Sequence, residues 1–351
     1  MFDAHLHYAR SHPEEALEKV LKDNGITAFA LQCIPQEDVK PVTPDALRFK
    51  RRHPGRCFVL GELSRLVYLR FQDEPRALGG SLVSQAQKLL DAGCDGIKLL
   101  EGKPDIRRRF PIPDFDSAGW APFWEFAEAE GVPLTLHLND PPEFWDKSRM
   151  NPYAVQQGWF YGEDTVNNLE QYRQMDAVLA RHPKLKLQLA HFYFHYDYLE
   201  GLAGMLETCP NLRLDLTPGV EIYYSLSANL DAARDFFERF SGRILFGTDI
   251  GSRAAIACPP KALDPLESAP RVRLIRQFLQ TKGPYTLEPD GRYLFNIPSR
   301  RMAGLDLPGD ILQKIYEANA WAHFGKLPRP VPEGGPEELA AMFAHANENG
   351  L

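Results

Sequence analysis

Short apolar runs alternate with longer amphipathic stretches eight times along the chain, which predicts an α/β protein folded as a (β/α)8 TIM barrel. Several of the apolar runs are nearly uninterrupted, as parallel strands covered on both faces require. Gly25, Gly93, Gly131 and Gly242 each stand between a helical stretch and the next run, where a left-handed helix stop belongs. An open doubly wound sheet is the alternative arrangement of the same pattern.

The expected strands cover residues 2–7, 26–32, 57–61, 96–100, 133–137, 186–191, 213–216 and 244–248. Between them, Leu82, Ala86, Leu89 and Leu90 follow the spacing of one helical face. Leu169, Tyr172, Met175 and Leu179 form a second stripe, and Leu230, Ala233, Phe237 and Phe240 a third. All three read as core-packing faces. Residues 1–327 are read as the catalytic barrel. A Pro-rich insertion after the eighth strand, about 252–308, holds a helix near 269–281 and is expected to pass over the barrel mouth. A last barrel helix follows near 310–323. The tail, 328–351, carries Pro330, Pro332 and Pro336 before a short helix near 337–347, suited to packing on the barrel or on a second subunit.

Composition narrows the function. With 351 residues and 44% hydrophobic content the chain can bury a large core. The formal charge of -7 is opposite in sign to the footprint of a nucleic-acid binder. One basic cluster, Arg107-Arg108-Arg109, reads as a solvated loop, or else as an anchor for a substrate carboxylate or phosphate. The five cysteines show no CxxC pair, so disulfides are not expected and a reducing, cytoplasmic setting is. No apolar run reaches 18 residues, and no secretory leader pattern opens the sequence. The expected partner is a small-molecule substrate, with no nucleic acid or membrane; a homodimer is possible.

The chemistry lies at strand ends. His5 and His7 are two apart on the first strand and so share a face. His137 closes the fifth run, His191 the sixth and Asp249 the eighth. Barrel active sites occupy the C-terminal strand ends, so four strands deliver metal-competent side chains to one rim. Burying Asp249 unpaired would be costly; a cation or a histidinium relieves that. Imidazoles plus one carboxylate suit a divalent metal, zinc first, with manganese an alternative.

The set Asp3-Ala4-His5-Leu6-His7, His137, Ala190-His191 and Gly247-Thr248-Asp249 resembles the amidohydrolase superfamily, in its branch of metal-dependent hydrolases, lactonases and nonoxidative decarboxylases. The segment 315–325, with Ala318-Asn319-Ala320 and Phe324-Gly325, resembles that branch's terminal helix. The resemblance implies that His5, His7, His137 and Asp249 ligate the metal, that His191 ligates or acts as acid and base, and that Asp249 moves the water proton. Lys98, at the end of the fourth run, is either a carbamylated bridge between two metals, a substrate- or water-facing cation, or an ion-pair partner of Glu101. Glu101, Asn139, Tyr193, Tyr223 and Arg253 are further candidates for substrate contact, and Asp140 could line the mouth. His195 reads as a surface or capping residue.

The expected reaction is hydrolysis of a carbonyl C–O or C–N bond in a small carboxylic compound, aromatic or not (a lactone, ester or amide), by metal-activated water. Nonoxidative decarboxylation of an aromatic or unsaturated acid is the first alternative, with Lys98, Arg109 or Arg253 near the carboxylate. A non-catalytic, metal-stabilised ligand-binding barrel is the second. GxSxG, GxGxxG and P-loop patterns are absent, which removes the simplest arguments for a serine nucleophile or a nucleotide.

Overall fold

The computed structural model describes residues 1–10, 13–37, 39–251, 263–297 and 300–348. Eight parallel strands follow one another in chain order: β1 (Phe2–His7), β2 (Ala28–Gln32), β3 (Cys57–Glu62), β4 (Gly96–Gly102), β5 (Leu134–Leu138), β6 (Leu187–Leu189), β7 (Arg213–Asp215) and β8 (Ile244–Leu245). The barrel seam is drawn together by backbone bonds between β1 and the residues after β8. Ala4 N–H donates to Phe246 O at 2.8 Å, Asp249 N–H to His5 O at 2.7 Å and His7 N–H to Ile250 O at 2.7 Å. The Asp3 carboxylate reinforces that seam, accepting from the Thr248 hydroxyl at 2.6 Å and the Thr248 N–H at 3.2 Å.

The two ends of the barrel differ. At the N-terminal end Phe2, Phe58 and Phe324 pack ring on ring under small residues, Ala4, Ala28, Ala30 and Ala320, forming a dry floor. Farther up, the strands carry Gln32, Lys98, Thr135, Gln188 and Asp215, all buried, so the interior becomes polar toward the rim. Glycines let strands approach closely: a Cβ on Gly96 would lie 2.1 Å from Pro133 O, and one on Gly102 2.4 Å from His137 O.

The helical stripes fall largely as read. Leu82, Ala86, Leu89 and Leu90 are buried on the helix Pro75–Asp91, and Tyr172, Met175 and Leu179 on the helix Asn168–Arg181. Leu169, at the start of that helix, is instead exposed. Gly25, Gly93 and Gly131 have the expected positive φ; Gly242 does not, because it lies in a 3-10 turn, Ser241–Arg243. In the insertion the expected helix spans Pro265–Gln280, and an antiparallel hairpin, β9 (Lys282–Tyr285) with β10 (Met302–Leu305), accompanies it. The tail helix Gly335–Glu348 packs against the barrel helix Thr43–Arg52. No helix among the described residues is long and apolar enough to cross a membrane.

Candidate metal centre and active site

Asp215, the last residue of β7, organises the site. Its Oδ2 accepts from His5 Nδ1 at 2.8 Å and from the Gln188 amide at 2.6 Å. Its Oδ1 accepts from the Thr217 hydroxyl at 2.6 Å, the His191 N–H at 2.9 Å and the Thr217 N–H at 3.2 Å. Burial works against the charge, but these donors outweigh it and hold the carboxyl below its ordinary range.

That network sets the histidine tautomers. Because Asp215 can only accept, His5 carries its proton on Nδ1 and presents a bare Nε2. His7 Nδ1 donates to Gln32 O at 2.7 Å, which leaves its Nε2 facing the cavity. The Thr217 hydroxyl proton goes to Asp215, so its oxygen accepts from His191 Nδ1 at 2.9 Å, and His191 Nε2 is also left free. Burial brings His5 down to about 4, with neighbouring Lys98 adding to the effect, and burial takes His191 well below its usual value. Both rings are therefore neutral near pH 7.

Two of these nitrogens meet: His5 Nε2 lies 3.3 Å from His7 Nε2. Asp249 Oδ1 lies 3.0 Å from His7 Nε2 and 4.0 Å from His5 Nε2. Donor atoms of His5, His7 and Asp249 thus fall within 4.8 Å of one another. Two nitrogens and a carboxylate oxygen this close must be joined by a shared proton or by a cation. Two nitrogens bound at roughly 2.1 Å to one ion near the tetrahedral angle would stand about 3.4 Å apart. The donor set fits a divalent metal.

His191 and His137 border the same cavity but stand outside this trio. The His191 ring is 5.6 Å from that of His5 and 4.8 Å from that of His137, centre to centre. The expected five-ligand set is therefore only partly assembled. His137 turns Nε2 toward Asp140 Oδ1 at 3.2 Å, and Asp140 is clamped by Lys103 Nζ at 2.7 and 2.6 Å. Burial opposes ionisation of Asp140; Lys103 and His137 prevail and hold it below the usual range. Three rim residues pay in backbone strain for their positions: Asn139, His191 and Asp249 have φ of 64°, 56° and 57°.

Around this centre lies a cavity of about 310 Å³. Lys98, Lys103, Arg65, Arg109 and Arg271 bring positive charge to it, and Phe144, Trp159, Phe194 and Phe295 supply flat apolar walls. Lys98 Nζ is 3.4 Å from His5 Nε2; burial lowers its ammonium to about 8 against the pull of Asp215, Asp249 and Glu101. Arg271 donates to Asp249 Oδ2 at 3.1 Å and to Glu267 at 2.8 Å. Burial also disfavours the Asp249 charge, yet His7 and Arg271 hold the carboxyl far below its ordinary value.

The family profile named amidohydrolase matches residues 2–326. This chain belongs to the amidohydrolase family. It is thus an enzyme of that superfamily, as the strand-end residues imply. A sequence search of curated proteins finds no significant match. Among solved structures, an uncharacterised TIM-barrel protein from Bordetella bronchiseptica superposes with a TM-score of 0.53 at 16% identity, over 90% of this chain and 83% of that one. A 2,6-dihydroxybenzoate decarboxylase complexed with 2,6-dihydroxybenzoate gives 0.52 at 16% identity, over 92% and 97%. A putative 2-pyrone-4,6-dicarboxylic acid hydrolase from Pseudomonas putida gives 0.51 at 14% identity, over 93% and 97%. At these identities the likeness is one of fold.

Several residues expected to touch substrate in this amidohydrolase are placed elsewhere. Glu101 is buried beside Arg65 and Tyr68, outside the cavity lining. Asn139 accepts from Gln171 at 2.6 Å and donates to Asn168 O at 3.1 Å, which uses its amide structurally. Tyr193 packs against Tyr172, and Tyr223 donates its hydroxyl to Leu216 O at 2.6 Å while packing on Phe278. Neither lines the cavity. Arg253 lies outside the described residues. His195 packs on Tyr172 and Tyr193, away from the cavity. The basic cluster divides: Arg109 faces the cavity, whereas Arg107 is buried on Gln171, Gln174 and Asp114. Sequence reasoning missed Asp215, Thr217, Lys103, Arg271 and Glu221. A buried acid between Leu214 and Leu216 was the available signal for the first of them.

Proposed function

We propose that this enzyme hydrolyses a carbonyl C–O or C–N bond in a small, flat, anionic compound. The observation that carries the reading is the convergence of His5 Nε2, His7 Nε2 and Asp249 Oδ1 beside a cationic cavity with aromatic walls. The shape and charge suit a planar ring bearing a carboxylate. His5, His7 and Asp249 would hold the divalent metal, with His191 and His137 as neighbouring nitrogen donors. When bound, the metal polarises the substrate carbonyl and makes water acidic enough to react near neutral pH.

The protein's own groups account for the remaining steps. Asp249, kept ionised by Arg271, accepts the proton of the attacking water as its oxygen bonds to the carbonyl carbon. The C–O or C–N bond then breaks, and Asp249 returns the proton to the departing oxygen or nitrogen. His191 Nε2 faces the same space and is positioned to share that proton. Lys98 and Arg109 face it with positive charge to orient the substrate acid. The flat walls exclude water from the ring.

The same cations would serve a decarboxylase by gripping the carboxylate that is lost, so the test must separate the two. Metal-loaded protein is offered 2-pyrone-4,6-dicarboxylate and simple aromatic lactones, then 2,6-dihydroxybenzoate and related hydroxylated acids. Ring opening with one acid equivalent released is the expected result, reduced at least about a hundredfold in Asp249→Asn with the fold retained. Carbon dioxide release without ring opening replaces hydrolysis by decarboxylation. Full activity of Asp249→Asn removes the role assigned to that carboxylate.

A further inference from the structure

Glu221 is the one acid of the cavity lining, apart from Asp249, Asp140 and Asp105, and the proposed reaction leaves it unused. It stands near the start of the helix Val220–Ala228, after β7, on the same rim as the metal centre. Its own backbone N–H reaches the carboxyl, but Oε2 is buried and has no hydrogen-bond partner among the described residues. The carboxyl folds back over Gly219: a Cβ added there would lie 2.2 Å from Oε2 and 2.3 Å from Oε1. Gly219 has φ of -99°, so no left-handed backbone demands a glycine here. A side chain here would instead displace the carboxyl from the position it now holds.

Leaving a buried polar atom unsatisfied costs about 1–3 kcal/mol, and such atoms call for an explanation. A bound substrate would supply the missing partner. Glu221 also borders a second hollow of about 490 Å³ that includes Glu143, Tyr196, Arg149, Arg300 and Arg301. Burial pushes its carboxyl up to about 8, and Glu143 and Asp140 push the same way; the Tyr196 and Tyr223 phenols lie within its electrostatic reach. An ionised Glu221 would repel the anionic substrate that the cavity's cations attract. A neutral acid would not.

We propose that Glu221 is a specificity residue, whose carboxyl donates a hydrogen bond to a hydroxyl or carbonyl oxygen of the bound substrate. The inference rests on the flat-acid reading of the cavity. Gly219 acts as a positioning residue, by leaving the room in which that carboxyl lies.

The test compares binding of 2,6-dihydroxybenzoate and benzoate to metal-loaded protein by calorimetry. The wild type should prefer the hydroxylated acid by roughly five- to tenfold, the worth of one hydrogen bond. Glu221→Gln, still a donor, should keep the preference. Glu221→Leu should lose it, binding the two acids about equally. Gly219→Ala should lose it with Glu221 still present, and it carries the test if the Glu221→Leu protein does not fold. An undiminished preference in both Glu221→Leu and Gly219→Ala overturns the proposal. If neither acid binds the wild type, the flat-acid reading fails, and infrared difference spectra of wild type against Glu221→Gln at pH 7 decide separately. A protonated-carboxyl band lost in the variant supports Glu221 as a donor; loss of a carboxylate band alone overturns it.

Discussion

Asp215 shows how much of a metal centre is set by a residue that touches no ligand position. Five donors converge on its two oxygens, and they come from His5, Gln188, His191 and Thr217. It fixes the tautomer of His5 directly, that of His191 through Thr217, and it anchors the strained backbone N–H of His191. Such outer partners typically account for 10–100-fold in metal affinity. Asp215→Asn should therefore weaken divalent-metal binding by about that factor, because an amide cannot accept from every donor now pointing at it. Competition with a coloured chelator measures this. Unchanged affinity would show that His5 is oriented by packing alone. The metal-competent residues were legible because each ends an apolar run. Asp215 was not flagged, although the argument applied to Asp249 holds for it too: a carboxylate between two leucines must find donors or stay protonated. The turn of His137 toward Asp140 depends on a side-chain rotation that no strand pattern encodes.

The elements near the rim depart most from the sequence reading. The runs at 186–191 and 244–248 were read as strands to their last residue, but β6 ends at Leu189 and β8 at Leu245. From His191 to Phe194 every residue has positive φ, between 53° and 60°, a succession that hydrophobicity does not signal. The β9–β10 hairpin was missed for a related reason: β9 is the short run Lys-Gly-Pro-Tyr, which carries little apolar signal. At the tail, the decisive contact is Gly93. Its φ is 101°, and an added Cβ would lie 2.7 Å from Pro330 O and 2.8 Å from Val331 Cα. Asp95 extends the clasp, accepting from Arg329 N–H at 2.6 Å. Gly93→Ala should cost about 1–3 kcal/mol in denaturant unfolding and speed proteolytic removal of the tail. Unaltered stability with an equally resistant tail would mean that the helix Gly335–Glu348 docks without this clasp.

For the molecule as a whole, the contrast between a dry floor and a charged rim makes stability depend on the ion. The floor is satisfied internally by rings and alanines, whereas His5 Nε2, His7 Nε2 and Asp249 Oδ1 are gathered by the fold at a distance where a shared proton or a cation must join them. A bound divalent ion would replace that proton and draw all three donors to itself at once. An ion at a thousandfold excess over its dissociation constant stabilises the folded chain by about 4 kcal/mol. A chain of 351 residues unfolds with an entropy of roughly 0.7 kcal/mol/K near its midpoint, so the Tm should rise by about 5–6 °C. Chelation should reverse the rise. The Asp249→Asn protein should respond much less, since it keeps the two nitrogens but loses the anionic oxygen. Elemental analysis of the same samples should return one ion per chain. A Tm indifferent to chelation in protein shown to have carried the metal would mean that these side chains do not hold it. An equal rise in wild type and Asp249→Asn would move the site to other donors, with His191 and His137 the next to test.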